Sequence, residues 1–398
     1  MISPYIKEMI TSKSASAIRK MFEQGKVLKA RYGNDKVFDF SLGNPDLDPP
    51  QAVLDTIKQL AEDTSHGCHG YMSNAGYDEA RQAMADKESM EQNVKVTPDC
   101  VVMSAGAAAA LNTVFKTILS ENDEVVVPAP FFVDYRNYVK NYNGKLIEVK
   151  TAPDFSLNIE AIKNALSSKT SAVLINSPNN PTGRIYSEEQ ISELCNILKN
   201  HGEKTGRFPY LICDEPYRAI TYDGKNVASV FDKYEYSVIV TSFAKNLSIP
   251  GERMGYVCVN PACPEKADFI AGVIFATRVL GFVNAPAFFQ KVVAKSWNAE
   301  CDYSAYEKRR NLLMEVLDNA GLKYAQPEGA FYIFCKVPDS WGNDDAGFVE
   351  VLEKNLILCP GGSGFGMSGW FRICYCVDEK TIVNSKDAFY KAAHTEKE

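Results

Sequence analysis

Seven short apolar runs between residues 101 and 259 constrain this chain more than any other feature. They occupy 101–103, 125–127, 146–149, 172–175, 210–213, 236–240 and 256–259. Most are separated by stretches with helical patterning, such as 107–119 and 187–200. A strand that is apolar along its whole length has no face to show to water. Such strands, alternating with helices, predict a mainly parallel sheet covered on both sides. The expected fold class is α/β. A three-layer αβα large domain, built on a mostly parallel seven-stranded sheet, is placed at residues 45–285.

A smaller α+β domain is expected from the two ends of the chain, residues 1–44 and 286–398. At the N-terminal end, Ile18, Met21, Phe22 and Leu28 lie among charges and predict an amphipathic helix from about Ser12 to Tyr32. Residues 38–40 read as a short strand. At the other end, a long helical stretch at 287–320 precedes strand-like runs at 331–335, 356–358 and 370–376.

At 398 residues, with 45% apolar and 23% charged residues, the chain has enough material for one large core and a second, smaller one. A formal charge of -7 argues against nucleic acid as the main partner. An anionic substrate must then be captured by individual cationic side chains. No apolar run is long enough to span a membrane, so no membrane association is expected, and the first residues lack the basic-then-apolar pattern of a signal peptide. The eleven cysteines are scattered, several inside apolar runs (Cys213, Cys258, Cys335, Cys374), which suits reduced thiols in the cytoplasm. His66-Gly67-Cys68-His69 has no second cluster to complete a coordination shell, and no metal site is expected.

Polar residues punctuate the ends of the apolar runs, where open α/β sheets build their sites. Lys245 follows the run ending at Ser242, where desolvation would disfavour its ammonium form and make the amine nucleophilic. Ser242 and Arg253 could flank the same point and hold a phosphate. Ala105, Gly106 and Ala107 join a strand to an alanine-rich helix and leave backbone N–H groups open to an anion. Phe132 is either a core side chain or a platform for a flat heterocycle. Asn180 belongs to the rigid turn sequence 176–183. Asp214 is either a helix cap or the partner of a protonated ring nitrogen. Tyr217 is either a surface aromatic or a donor to a ring oxygen. Arg372, alone in an apolar run, needs an anion: a structural ion-pair partner or a substrate carboxylate.

Taken in order, Asn180-Pro181-Thr182-Gly183, Asp214 with Tyr217, Ser242 with Lys245, Arg253 and Arg372 resemble the class I/II aminotransferases. These are pyridoxal 5'-phosphate enzymes of fold type I, the aspartate aminotransferase-like group. Gly43-Asn44-Pro45, Tyr71, residues 327–332 and Pro360-Gly361-Gly362 also fit, so the resemblance covers nearly the whole chain. It implies transamination of an L-amino acid with a 2-oxo acid in two ping-pong stages, with aspartate or glutamate as candidate donors. Lys245 would form the Schiff base and shuttle the proton, Asp214 would pair with the ring nitrogen, and Tyr217, helped by Asn180, would hold the ring hydroxyl. Ala105, Gly106, Ala107, Ser242 and Arg253 would hold the phosphate, with Phe132 stacked on the ring. Arg372 would grip the substrate α-carboxylate, assisted by Asn180 and Gly43. Tyr71 would reach the phosphate of a neighbouring subunit, implying a homodimer with shared sites.

The sequence departs from the family pattern in two places. Where one subgroup has a lysine for a distal carboxylate, this chain has Ala108. Where another uses an arginine of the partner subunit, Arg278 is the candidate, about one residue out of register with Asn284-Ala285-Pro286. Among rival readings, Ser242-x-x-Lys245 also matches the penicillin-binding serine motif, but its companion motifs are missing or out of order. Gly362-x-Gly364-x-Gly366 lacks the βαβ context of a dinucleotide loop. A regulator carrying an aminotransferase-like domain would need a DNA-binding region before Gly43. A pyridoxal-phosphate lyase acting by C–S β-elimination is the alternative on the same frame.

Overall fold

The computed structural model describes residues 2–11 and 17–397. In chain order its strands are β1 Phe38–Asp39, β2 Val101–Ser104, β3 Glu124–Ala129, β4 Lys145–Lys150, β5 Thr170–Asn176, β6 Tyr210–Asp214, β7 Ser237–Ser242, β8 Gly255–Val259, β9 Tyr332–Lys336, β10 Ile357–Leu358 and β11 Trp370–Cys374. Among the described residues, β2 to β8 form one seven-stranded sheet in the order β2-β8-β7-β6-β5-β3-β4. Each predicted apolar run supplies one of its strands. β8 is antiparallel to both its neighbours, β2 and β7. The other pairings are parallel.

Burial follows position in the sheet. Every residue of β5, β6, β7 and β8 is buried. The edge strand β4 exposes Lys145, Glu148 and Lys150, and charges on an edge discourage pairing with another chain. Helix Glu188–Thr205 shows how local sequence sets the covering layer. Ser187 and Gln190 cap its start reciprocally, and Gly206 ends it in the left-handed conformation at φ 74°.

A second core gathers Phe40 from the N-terminal side with Tyr306, Phe331, Phe348, Phe371 and Phe389 from the C-terminal side. There β9 and β11 pair antiparallel, and β1 pairs with β10 in parallel. The expected helical stretch 287–320 is two helices, Ala287–Ser296 and Ser304–Ala320. The break has a local cause: the Asp302 carboxylate accepts from the Ser304 N–H (3.2 Å) and hydroxyl (2.5 Å) and starts the chain afresh. Of the predicted N-terminal helix, Ala17–Tyr32 is helical and Met21 packs with Val37 and Leu358. Residues 12–16 and the side chains of Ile18 and Phe22 lie outside the described residues.

Candidate active site

Three parallel strands stop side by side, and their last residues are polar: Asn176 on β5, Asp214 on β6 and Ser242 on β7. The Asn176 amide donates to the Asp214 carbonyl (2.7 Å) and its oxygen accepts from the Asn180 N–H (2.7 Å). One buried side chain thereby ties two strand ends together and folds the following loop back over the sheet. The cavity above these ends measures about 290 Å³.

Lys245 lies on a single helical turn, Phe243–Asn246, directly after β7. Its Nζ donates to the Gly43 carbonyl at 2.6 Å. Burial disfavours its ammonium form; the Cys376 and Cys374 thiols resist that shift, while Arg372 and Arg253 add to it. The outcome is a pKa below the ordinary lysine value.

Asp214 is buried and caps no helix. Its Oδ2 accepts from the Tyr135 hydroxyl at 2.5 Å, whereas Oδ1 is buried with no hydrogen-bond partner. Burial raises its carboxyl from 3.8 to about 7, partly offset by Tyr135. Tyr217, also buried, meets the Tyr332 hydroxyl at 2.9 Å. Phe132 is half-buried on the cavity wall and packs edge-on against Tyr135.

At one end of the cavity, Ser242, Arg253 and Ala107 converge, and Ala107 opens the helix Ala107–Ile118. Ala105 and Gly106 do not line the cavity themselves. Gly106, at φ +85°, passes so close to Arg253 that a Cβ there would lie 2.7 Å from Nη2. Only glycine lets the guanidinium rest against this turn.

At the other end is Arg372, 3% exposed. Its Nη1 donates to Asn180 Oδ1 (3.0 Å) and its Nη2 to the Ser41 carbonyl (2.7 Å), between the rings of Tyr332 and Phe365. Its Nε has no partner, and no carboxylate of the described residues lies within ion-pair distance. Among the described residues Arg372 therefore has no structural ion-pair partner. Gly43 also lines the cavity, its Cα pressed against the Tyr332 hydroxyl.

Besides Ala105 and Gly106, two predicted residues are not brought in. Tyr71, 94% exposed, and Arg278, exposed and stacked on Phe275, do not line this cavity. Conversely, Tyr135, Tyr138, Asn176 and Pro216 belong to the site and were not singled out in the sequence. A hollow of about 460 Å³ opens at the opposite end of β6, where Arg207 pairs with Asp123 and Ser171, and Tyr210 with Glu265.

A family model for aminotransferase class I and II matches residues 35–388. The chain belongs to that family. The aminotransferase is 33% identical to a probable aspartate/prephenate aminotransferase of Aquifex aeolicus, over 89% of this chain and 91% of that protein. It is 29% identical to the aspartate aminotransferase of Bacillus subtilis, over 93% and 94%. Among solved structures it is similar to an amino transferase of Eubacterium rectale, with TM-score 0.93, 38% identity and 98% of each chain covered. The Thermus thermophilus aspartate aminotransferase with maleate gives TM-score 0.86 at 26% identity, over 98% and 99%.

Aminotransferases of this family use pyridoxal phosphate. The cavity fits that group: Asp214 Oδ1 is a buried acceptor lacking a donor, and Lys245 is an amine whose ammonium form burial disfavours. Asp214 also carries a consequence for stability. A carboxyl raised by folding contributes fully below its unfolded pKa and loses that contribution as pH climbs through the folded value. Without cofactor, the aminotransferase is expected to lose on the order of 4 kcal/mol from this group between about pH 4 and about pH 7. Urea unfolding across that range should show a smaller loss in Asp214→Asn than in the parent, since Glu215, raised by burial to about 7, keeps its own contribution in both. Parallel profiles would clear Asp214 of the effect.

Proposed function

We propose that this aminotransferase passes the amino group of L-aspartate or L-glutamate to a 2-oxo acid, with Lys245 as the group that holds the cofactor and moves the proton. The observation that carries this reading is one cavity holding a deprotonation-prone amine, a buried carboxyl with one oxygen unpartnered and an anion-seeking guanidinium. When bound, pyridoxal phosphate supplies an aldehyde that condenses with primary amines and a ring that draws electrons from the amino acid Cα. Asp214 then keeps the ring nitrogen protonated, and Tyr217 and Asn180 orient the ring hydroxyl. Ser242, Arg253 and the backbone of Ala105, Gly106 and Ala107 receive the phosphate, and Phe132 covers the ring. Arg372 binds the α-carboxylate beside Asn180 and Gly43. That anchor fixes which Cα bond faces Lys245, whose Nζ takes up the Cα proton.

The cations of the cavity, Lys245, Arg253 and Arg372, are all committed by this scheme, and Ala108 offers no charge. A second carboxylate on the donor therefore needs a cation from elsewhere. The Asn74 amide donates to the Val283 carbonyl, and the Asn284 amide to the Ser73 carbonyl, both at 2.8 Å. These bonds lace the Tyr71 loop to the turn after Arg278; Phe275 and Val279 on the helix Lys266–Val279 and Phe282 and Val283 on the turn are exposed. Such a face supports a homodimer in which Tyr71 reaches the phosphate and Arg278 the distal carboxylate of the other subunit's site. Its free thiols and lack of a membrane-crossing helix among the described residues support a cytoplasmic setting.

Half-reactions with single L-amino acids test the donor assignment. Aspartate or glutamate should bleach the visible band of the lysine-bound cofactor and release the keto acid. Arg278→Ala should lower kcat/KM for aspartate by about 10²-fold and leave alanine nearly unchanged. Equal losses for both donors would remove Arg278 from the distal subsite.

A further inference from the structure

The strand carrying Arg372 ends in two thiols that the scheme above does not use. Cys374 closes β11 and Cys376 follows after one residue. Both are buried, and their Sγ atoms are 2.9 Å apart and hydrogen-bonded. Among the described residues this is the one place where two cysteine sulfurs meet. The two are not equivalent. Burial opposes ionisation of Cys374, but the Cys376 S–H, the Arg372 guanidinium and Lys245 outweigh it and hold this thiol below its ordinary range. Cys376 is held well above it, by burial and by its neighbour. Of two touching sulfurs, Cys374 is thus the more readily ionised, the arrangement that lets one thiol react and the other resolve.

The pair also touches the site through a shared strip of backbone. Four successive carbonyls, Phe40 to Gly43, each accept from a different group. The Cys374 N–H reaches Phe40 at 3.0 Å, Arg372 Nη2 reaches Ser41 at 2.7 Å, Cys376 Sγ lies 3.9 Å from Leu42, and Lys245 Nζ reaches Gly43 at 2.6 Å. Movement of either sulfur is felt by the strip that positions the substrate-binding arginine and the active lysine.

We propose that Cys374 and Cys376 are an oxidisable dithiol, a modification site at which a peroxide closes a disulfide and weakens the enzyme's hold on its substrate. The Cys374 thiolate attacks a peroxide oxygen and the O–O bond breaks. This gives a sulfenic acid, and the departing hydroxide takes up a proton to leave as water. The Cys376 sulfur then attacks that sulfur. The S–O bond breaks, the hydroxyl leaves with the Cys376 proton as a second water, and the S–S bond forms. Two thiols lose two electrons and one peroxide gains them. Closing the bond removes the Cys376 S–H and draws its sulfur, 3.9 Å from the Leu42 carbonyl, toward the end of β11.

The test uses the enzyme loaded with pyridoxal phosphate, reduced and then treated with hydrogen peroxide. After unfolding and alkylation, the peptide holding both cysteines should have lost two hydrogens and should carry no alkyl group at either. In parallel kcat/KM should fall about tenfold and recover with dithiothreitol. Reduced Cys374→Ser and Cys376→Ser should each stay within about twofold of the parent and resist the peroxide. Cys376→Ala replaces either that fails to fold. Alkylation of both cysteines under conditions that oxidise the more accessible Cys68 would overturn the proposal. So would a disulfide that leaves kcat/KM unchanged, or a serine variant as sensitive as the parent. The activity readout rests on the transaminase assignment and the thiol readout does not. A disulfide closing in a protein without transaminase activity would therefore overturn that assignment and leave the modification site standing.

Discussion

Lys245→Ala is expected to abolish transamination, lowering kcat on the order of 10⁴-fold or more, because one nitrogen serves as both the covalent anchor and the proton carrier. The visible band of the lysine-bound cofactor should vanish with it, while bound pyridoxal phosphate remains detectable after denaturation. The fold should survive. The side chain makes one hydrogen bond, to the Gly43 carbonyl, and its ammonium form is disfavoured where it sits. Removing a poorly solvated amine should leave the thermal midpoint unchanged or slightly raised. Turnover at the parent rate in this variant would end the proposed mechanism.

Arg372→Ala should cost almost as much, through substrate capture and not cofactor chemistry. Truncating one partner of a desolvated charged pair typically costs about 2–5 kcal/mol, or roughly 30- to 5,000-fold in kcat/KM. The Asn180 oxygen and the Ser41 carbonyl would also lose their donors. Arg372→Lys separates charge from geometry. Lysine keeps the positive charge and loses the planar two-pronged donor, so recovery should be partial. The spectrum of the lysine-bound cofactor should be retained in both variants. An unchanged kcat/KM in Arg372→Ala would take this residue out of the substrate site.

Much of this site was legible in the sequence for one physical reason. Strands buried on both faces are continuous apolar runs, so a polar residue ending such a run marks the sheet edge. Asp214 and Ser242 are found that way, with Lys245 one short turn beyond. Tyr135 was hidden. Its hydroxyl meets Asp214 across 79 residues of sequence, and nothing in its own neighbourhood distinguishes it from a core tyrosine. Gly106 was read as part of a phosphate cradle, but the reason it must be glycine, the guanidinium of Arg253 behind it, requires the third dimension. The break in the 287–320 stretch was missed because apolar periodicity resumes on the far side of Asp302. Tyr71 and Arg278 are a different matter. Their proposed roles need a second chain, and one copy shows only where they are exposed.

The strip from Phe40 to Gly43 has a consequence for how this enzyme could drift or be redesigned. Its links to Arg372, Lys245 and the two thiols run through main-chain oxygens, which every amino acid possesses. The path of the chain is held tightly there, while those links leave the identity at Leu42, exposed on the cavity wall, open to change. Its neighbours are fixed: Ser41 is buried with its hydroxyl donating to Asp39 (2.6 Å), and any side chain at Gly43 would collide with the Tyr332 hydroxyl. A designer could therefore vary the wall of the cavity from this segment without disturbing the groups that do the chemistry.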